Sequence, residues 1–129
     1  MQHYQSPATG NETSSVFHGV PDSVLLDPAY IEKTLLDALA KDNFTILGIQ
    51  PHHFTPSGYT VLVLLAESHA AIHTYPEHGA LYFSIYSCRG EVDGDGAFEY
   101  FKENIPHESV EIINNKIVVK KDELVGAVQ

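Results

Sequence analysis

The segment 59–67, YTVLVLLAE, is a nearly continuous apolar run and predicts a β-strand. The segment 80–88, ALYFSIYSC, alternates between aliphatic or phenylalanine positions and tyrosine or serine positions, which predicts a second strand. The segment 44–50, FTILGIQ, is also rich in strand-forming residues. These three segments favour a fold built around a β-sheet.

Two amphipathic segments flank these strands. Asp27 can cap a helix, and Pro28 suits its first turn because the N–H that proline lacks would be unpaired there. The helix is expected to end at Asn43, and a second helix is predicted over 97–105. One face of the first helix carries the apolar repeat Ile31, Leu35, Ala38 and Leu39.

The remaining apolar segments complete the predicted sheet. An edge strand is expected near 14–20, and the segments 109–114 and 116–121 suggest a terminal hairpin with an asparagine turn. The resulting order, β-α-β-β-β-α-β-β, predicts an α+β fold, a two-layer sandwich whose antiparallel-rich sheet carries helices on one face.

Composition limits the classes of partner. The formal net charge of −10 argues against nucleic acid and anionic membranes, which bind basic surfaces. No apolar stretch is long enough to cross a membrane, and neither a signal peptide nor a disulfide framework is visible, so we expect a cytoplasmic protein. The length fits one domain over 15–121, with polar tails at 1–14 and 122–129.

The histidines and the single cysteine have ordinary structural interpretations. His69 and His73 would share a strand face roughly 13 Å apart, too far to bind one metal ion. The adjacent His52 and His53 would point to opposite sides of an extended segment, and we expect no metal site. Cys88, after a predicted strand, is either a small buried apolar residue or a reactive thiol.

The tripeptide Glu67-Ser68-His69 is either a turn between strands or a reactive segment. The Ser68 hydroxyl could attack the preceding carbonyl, that of Glu67, and convert the amide into an ester. Elimination from that ester needs a base for the Ser68 α-proton, and His73 on the same segment is a candidate.

The segment 64–77, LLAESHAAIHTYPE, resembles the self-processing segment of the small bacterial and archaeal S-adenosylmethionine decarboxylases. The loop 52–60, HHFTPSGYT, and the segment 86–90, YSCRG, look like two further motifs of that family, and the spacing from Ser68 to Cys88 agrees with it. The resemblance implies cleavage between Glu67 and Ser68, which yields a β chain of residues 1–67 and an α chain of 68–129.

The resemblance also implies roles for individual residues. Ser68 would become the pyruvoyl group that forms a Schiff base with the substrate, with no metal and no pyridoxal phosphate. His73 matches the processing base, and Cys88 matches the proton donor of turnover. The remaining matches are a hydroxyl that supports processing, an aromatic ring that stacks on adenine, and two acidic positions of the substrate site: Thr60, Phe54, Glu67 and Glu77.

The implied activity is decarboxylation of S-adenosylmethionine for spermidine biosynthesis, in a homodimer of processed αβ protomers whose sites use both copies. Departures from the family pattern bear on the substrate: the strand at 12–19 is altered, Ser84 replaces a usual aspartate, and Arg89 precedes Gly90. A pyruvoyl-dependent arginine or ornithine decarboxylase therefore stays open as an alternative. An inactive, uncleaved binding or regulatory relative is a third possibility, against which the presence of Ser68, His73 and Cys88 weighs.

Overall fold

The computed structural model describes residues 8–90 and 93–120. The strands within these residues are β1 (Thr9–His18), β2 (Ile46–His53), β3 (Tyr59–Leu65), β4 (Ser68–Tyr75), β5 (Ala80–Ser87) and β6 (Ser109–Val118). The helices are α1 (Asp22–Leu25), α2 (Pro28–Lys41) and α3 (Asp95–Asn104), and a 3₁₀ turn spans Pro76–His78.

Six described strands form one sheet in the order β2-β3-β4-β5-β1-β6, and every neighbouring pair is antiparallel. The strands from β2 to β5 follow one another as a meander, whereas β1 inserts between β5 and β6. The start of β4 therefore lies between the end of β3 and the end of β5.

The helices pack against one face of the sheet. Asp27 caps α2, because its side chain accepts from the main-chain N–H of Tyr30 at 3.2 Å, and Pro28 occupies the first turn. The buried stripe of α2 is the one that the sequence predicted: Ile31, Leu35, Ala38 and Leu39. Phe101 of α3 packs on two rings of the sheet, Phe17 and Phe83, with ring centroids 5.6 and 4.5 Å away. The predicted α+β sandwich is confirmed.

Three predictions about the strands need correction. β1 is not at an edge and begins at Thr9, so residues 9–14 belong to the sheet and not to a tail. The segment 68–75, which the predicted order omitted, is the strand β4. The predicted terminal hairpin is wrong, because β6 runs unbroken along β1. The Asn114 side chain donates to Asn11 Oδ1 and Thr13 Oγ1, so β1 binds the asparagine that was expected to form a turn.

The opposite face of the sheet, which we call the open face, has no helix on it among the described residues. It carries Leu62, Leu64, His69, His73 and Ile113. Leu62, Leu64 and Ile113 are 49%, 58% and 65% exposed, so this face has exposed apolar side chains on β3 and on β6 as well as its histidines. An exposed apolar area of this kind is typical of a protein interface.

Candidate active site

The hairpin between β3 and β4 holds the reactive tripeptide. Leu65 pairs with Ser68, so Ala66 and Glu67 form a two-residue turn between them. Glu67 has a φ of 67°, a left-handed conformation that costs a residue with a side chain about 1 kcal/mol. The peptide bond that the resemblance marks for cleavage therefore follows a strained residue.

The Ser68 side chain lies on the helix-covered face of the sheet and is 7% exposed. Its hydroxyl has no hydrogen-bond partner among the described residues, which is unusual because buried polar groups normally have one. An unpaired hydroxyl beside a strained peptide bond is suited to attack the adjoining carbonyl carbon, since no existing hydrogen bond has to be broken.

Cys88 follows the last residue of β5 and reaches the same turn. Its thiol donates to the main-chain oxygen of Glu67, with Sγ 2.8 Å from that oxygen. Burial raises the pKa of the Cys88 thiol, and the charges of Glu67 and Asp93 act in the same direction. The nearby Ser68 hydroxyl lowers this pKa, but less than burial raises it. The thiol is thus kept protonated, the form that can donate.

A second group of predicted site residues lies at the other end of the sheet. Thr60 and His73 are cross-strand partners, and Thr60 Oγ1 lies 2.9 Å from His73 Nδ1. Tyr82, on the next strand, packs on the imidazole with ring centroids 5.7 Å apart. The alternating pattern of β5 could have pointed to Tyr82, because it placed this ring opposite the buried side of the strand.

The remaining predicted residues lie at this second end too. Phe54 is 52% exposed in the loop that joins β2 and β3, and it borders a cavity of about 430 Å³ with Tyr59, Leu26 and Pro28. Glu77 belongs to the exposed 3₁₀ turn that follows β4. Both residues are therefore at the same end of the sheet as His73, away from Ser68.

The structure thus divides the predicted site into two groups. Glu67, Ser68 and Cys88 form one, which we call the cleavage group. Phe54, Thr60, His73 and Glu77 form the other, which we call the distal group. Ser68 and His73 are five residues apart on β4, which corresponds to roughly 16 Å and to opposite faces of the strand. His73 consequently cannot reach the Ser68 α-proton within one copy of the chain.

Two charged residues near Cys88 were not identified as a pair from the sequence. Arg89 makes a salt bridge with Asp93, with Nη2 2.8 Å from Oδ1. Burial raises the pKa of Asp93, but hydrogen bonds from Arg89 outweigh it and leave this pKa below its usual value. Arg89 is therefore engaged in an intramolecular ion pair.

Within residues 8–90 and 93–120, no group of three or more His, Cys, Asp and Glu side chains is arranged to hold a metal ion. None of the helices described in these ranges combines the length and the apolar character needed to span a bilayer.

Comparison with known proteins identifies the family. A family model described as S-adenosylmethionine decarboxylase matches residues 13–116. The S-adenosylmethionine decarboxylase proenzyme of Brevibacillus brevis is 42% identical over 82 residues, which are 64% of this chain and 62% of that protein. The corresponding proenzyme of Geobacillus kaustophilus is 36% identical over 104 residues, 81% of this chain and 83% of that protein.

Solved structures share the fold. The adenosylmethionine decarboxylase of Aquifex aeolicus superposes with a TM-score of 0.81 at 24% identity, over 89% of this chain and 95% of that one. The Trypanosoma brucei AdoMetDC-delta26 monomer gives a TM-score of 0.57 at 14% identity, over 81% of this chain and 45% of that one. The resemblance noted from the motifs is confirmed. The chain belongs to the S-adenosylmethionine decarboxylase family.

Proposed function

We propose that this chain is a proenzyme that cleaves itself at Glu67-Ser68 and then decarboxylates S-adenosylmethionine. The observation that carries the proposal is the contact of the Cys88 thiol with the Glu67 carbonyl oxygen, beside the buried and unpaired Ser68 hydroxyl. These residues fit a pyruvoyl group formed from Ser68. Such a group would supply an electron-accepting carbonyl that stabilises the charge left when CO₂ departs.

The cleavage group has the nucleophile, the carbonyl and the hydrogen-bond donor that the first step of self-cleavage requires. The Ser68 hydroxyl attacks the Glu67 carbonyl carbon while Cys88 donates a hydrogen bond to the carbonyl oxygen, where negative charge develops. The C–N bond then breaks, the nitrogen takes the hydroxyl proton, and an ester joins the two residues. Loss of the Ser68 α-proton breaks the ester C–O bond and releases the Glu67 carboxylate. Water then replaces the nitrogen of residue 68, which leaves as ammonia.

A second copy of the chain supplies the base in this proposal. Two open faces that pack about 10 Å apart bury Leu62, Leu64 and Ile113 and form a sandwich. A two-fold axis between the sheets that crosses β4 near Ala71 reverses the strands of one copy relative to the other. The His73 end of each copy then lies across from the Ser68 end of its partner. Because the Ser68 side chain points to the helix-covered face, the α-proton on the other side of the Cα atom is the part of Ser68 that the partner's His73 can approach across the interface.

Phe54 and the acidic groups support a nucleoside substrate. An exposed aromatic ring beside an open cavity can stack on a purine, and carboxylates attract the positive sulfonium of S-adenosylmethionine. Arg89 is paired with Asp93 and so does not support the alternative in which it was changed to suit arginine or ornithine. The product would serve as an aminopropyl donor in spermidine biosynthesis, in the cytoplasm.

The substrate is tested by CO₂ release from carboxyl-labelled S-adenosylmethionine, arginine and ornithine, assayed side by side on self-cleaved protein. We expect release from S-adenosylmethionine alone. Release from arginine or ornithine alone would overturn the substrate and retain the self-cleavage. An uncleaved chain that releases CO₂ from none of the three would instead identify the inactive relative.

Replacement of Phe54 by alanine should raise KM for S-adenosylmethionine about fivefold, which corresponds to about 1 kcal/mol of lost stacking. Because Phe54 is half exposed, the free energy of unfolding should change little. Steady-state kinetics and thermal unfolding measure the two effects. Val119→Ala, at another exposed apolar position, should leave both unchanged. An unaltered KM for Phe54→Ala would remove this ring from the substrate site.

Replacement of Cys88 by alanine should slow self-cleavage about 10- to 100-fold, because the developing charge on the Glu67 oxygen loses its donor. Cys88→Ser retains a donor and should cleave faster than Cys88→Ala. Its turnover should nevertheless stay low, since a hydroxyl is a poorer proton donor than a thiol. Time courses on denaturing gels measure cleavage. Equal cleavage rates in Cys88→Ala and wild type would contradict a role for the thiol at the carbonyl.

A further inference from the structure

Arg89 directly follows Cys88 and is the only arginine in the chain. Cys88 has just left the ladder of β5, so hydrogen bonds between strands no longer fix its backbone on the C-terminal side. Segments that connect a sheet to the next element are generally more mobile than the strands. The Cys88 thiol nevertheless has to contact one particular atom, the Glu67 carbonyl oxygen. The contacts of Arg89 therefore bear directly on where the thiol lies.

The first set of contacts joins Arg89 to Asp93, four positions further along the chain. Arg89 Nε lies 2.9 and 2.8 Å from the two carboxylate oxygens of Asp93, and Nη2 lies 2.8 Å from Oδ1. The main-chain N–H of Arg89 also donates to Asp93 Oδ2 at 3.0 Å. Asp93 is itself attached to the sheet, because its main-chain oxygen accepts from Asn11 Nδ2 at 2.7 Å. The side chain and the main-chain N–H of Arg89 thus both bind the carboxylate of a residue that is itself attached to the sheet.

The second set of contacts ties Arg89 to the end of α2 and the segment that follows it. Nη1 donates to the main-chain oxygen of Asn43 at 3.1 Å, and the guanidinium carbon lies 3.7 Å from the centroid of the Phe44 ring. Nη2 lies 3.5 Å from Asp42 Oδ1, while Asp42 Oδ2 accepts from the N–H of Ala97 in α3. The planar guanidinium combines these hydrogen bonds with ring stacking, a combination that lysine cannot reproduce.

We propose that Arg89 is a positioning residue whose contacts with Asp42, Phe44 and Asp93, here called the Arg89 clamp, hold the Cys88 thiol against the Glu67 carbonyl. The inference deepens the function proposed above and rests on it for its catalytic consequence. A displacement of a reacting group by about 1 Å can cost up to ~100-fold in rate, so the clamp acts on cleavage through Cys88 without touching the reacting atoms.

Because Cys88 is the sole cysteine and is buried, its alkylation reports directly on the clamp. Full-length protein with Ser68→Ala removes self-cleavage from the measurement. In that background, Arg89→Met should raise the rate of alkylation by iodoacetamide about tenfold, because local opening of the connection exposes the thiol. Asp93→Asn should raise the alkylation rate by a similar factor. The double variant should be alkylated no faster than either single variant, since the two groups form one unit. The alkylation rate of Arg89→Lys should fall between the rate of Arg89→Met and the rate of the chain that retains Arg89.

The control separates local positioning from general stability. Ile31→Val and Leu35→Ala weaken the packing of the buried face of α2. The control is whichever of these two variants has the same free energy of unfolding as Arg89→Met. Faster alkylation in the Arg89 and Asp93 variants than in this control supports the clamp. Equal alkylation in the matched core variant would show that Arg89 acts only through overall stability, and the proposal would fail.

The same substitutions with Ser68 intact test the catalytic consequence. Arg89→Met should slow self-cleavage about tenfold, and adding Cys88→Ala to it should slow cleavage no further than Cys88→Ala alone, because the clamp acts through the thiol. A wild-type rate in Arg89→Met beside a slow Cys88→Ala would overturn the inference and leave the proposed function standing. A wild type that never cleaves would overturn the proposed function, whereas the alkylation result would still decide the clamp.

Discussion

We expect Ser68→Ala to leave the chain whole and without decarboxylase activity, whereas the wild type should separate into residues 1–67 and 68–129. The physical reason is that no other atom in the peptide unit can attack the Glu67 carbonyl and form the ester. Denaturing gels and intact mass spectrometry measure the fragments. The α chain should resist Edman degradation, because its N-terminus carries a carbonyl in place of an amine.

Ser15→Ala is the matched control for this experiment. Ser15 is also a buried serine, 2% exposed, but its hydroxyl donates to the main-chain oxygen of Phe83 on the adjoining strand. Its loss should cost about 1 kcal/mol of stability and leave cleavage intact. Wild-type protein that remains whole after prolonged incubation, or Ser68→Ala that still cleaves at residue 67, would refute self-processing by this serine.

His73→Ala should slow cleavage by at least about 100-fold, because the base that takes the Ser68 α-proton is lost. Chains that stop at the ester should be split by hydroxylamine, which attacks an ester far faster than an amide. His78→Ala replaces another histidine at the same end of the sheet, 72% exposed in its side chain, and should cleave as the wild type does. Cleavage at the wild-type rate in His73→Ala would exclude it as the base.

A mixed dimer decides whether His73 acts across the interface. Chains with Ser68→Ala and chains with His73→Ala, distinguished by affinity tags, are produced together and purified as a pair. We expect the His73→Ala chain to be cleaved in this pair, because its partner contributes an intact His73 opposite an intact Ser68. A His73→Ala chain that stays uncleaved in this pair would contradict the shared site. A monomeric mass by light scattering for the cleaved, active wild type would contradict it too.

Local sequence determined the elements and the chemical identity of the site. The apolar period of α2, the cap at Asp27 and the alternation of β5 are properties of neighbouring residues, so they could be predicted without knowing what packs on them. The motif around Glu67 and Ser68 indicated the proposed cleavage bond for the same reason, since attack on a preceding carbonyl needs only adjacent residues. The positions of strand β4 and of the unbroken β6 were missed, because pairing with distant strands outweighed local turn signals there.

Only the tertiary structure decided which site residues can meet. His73 and Ser68 are close in sequence, but an extended strand separates them and an odd spacing places them on opposite faces. Cys88 and Glu67 are 21 positions apart, yet the sheet register brings the thiol onto the carbonyl oxygen. The contact of Arg89 with Phe44 likewise joins residues that are remote along the chain. Contacts between distant residues depend on strand order and register, which the whole fold sets and no local pattern encodes.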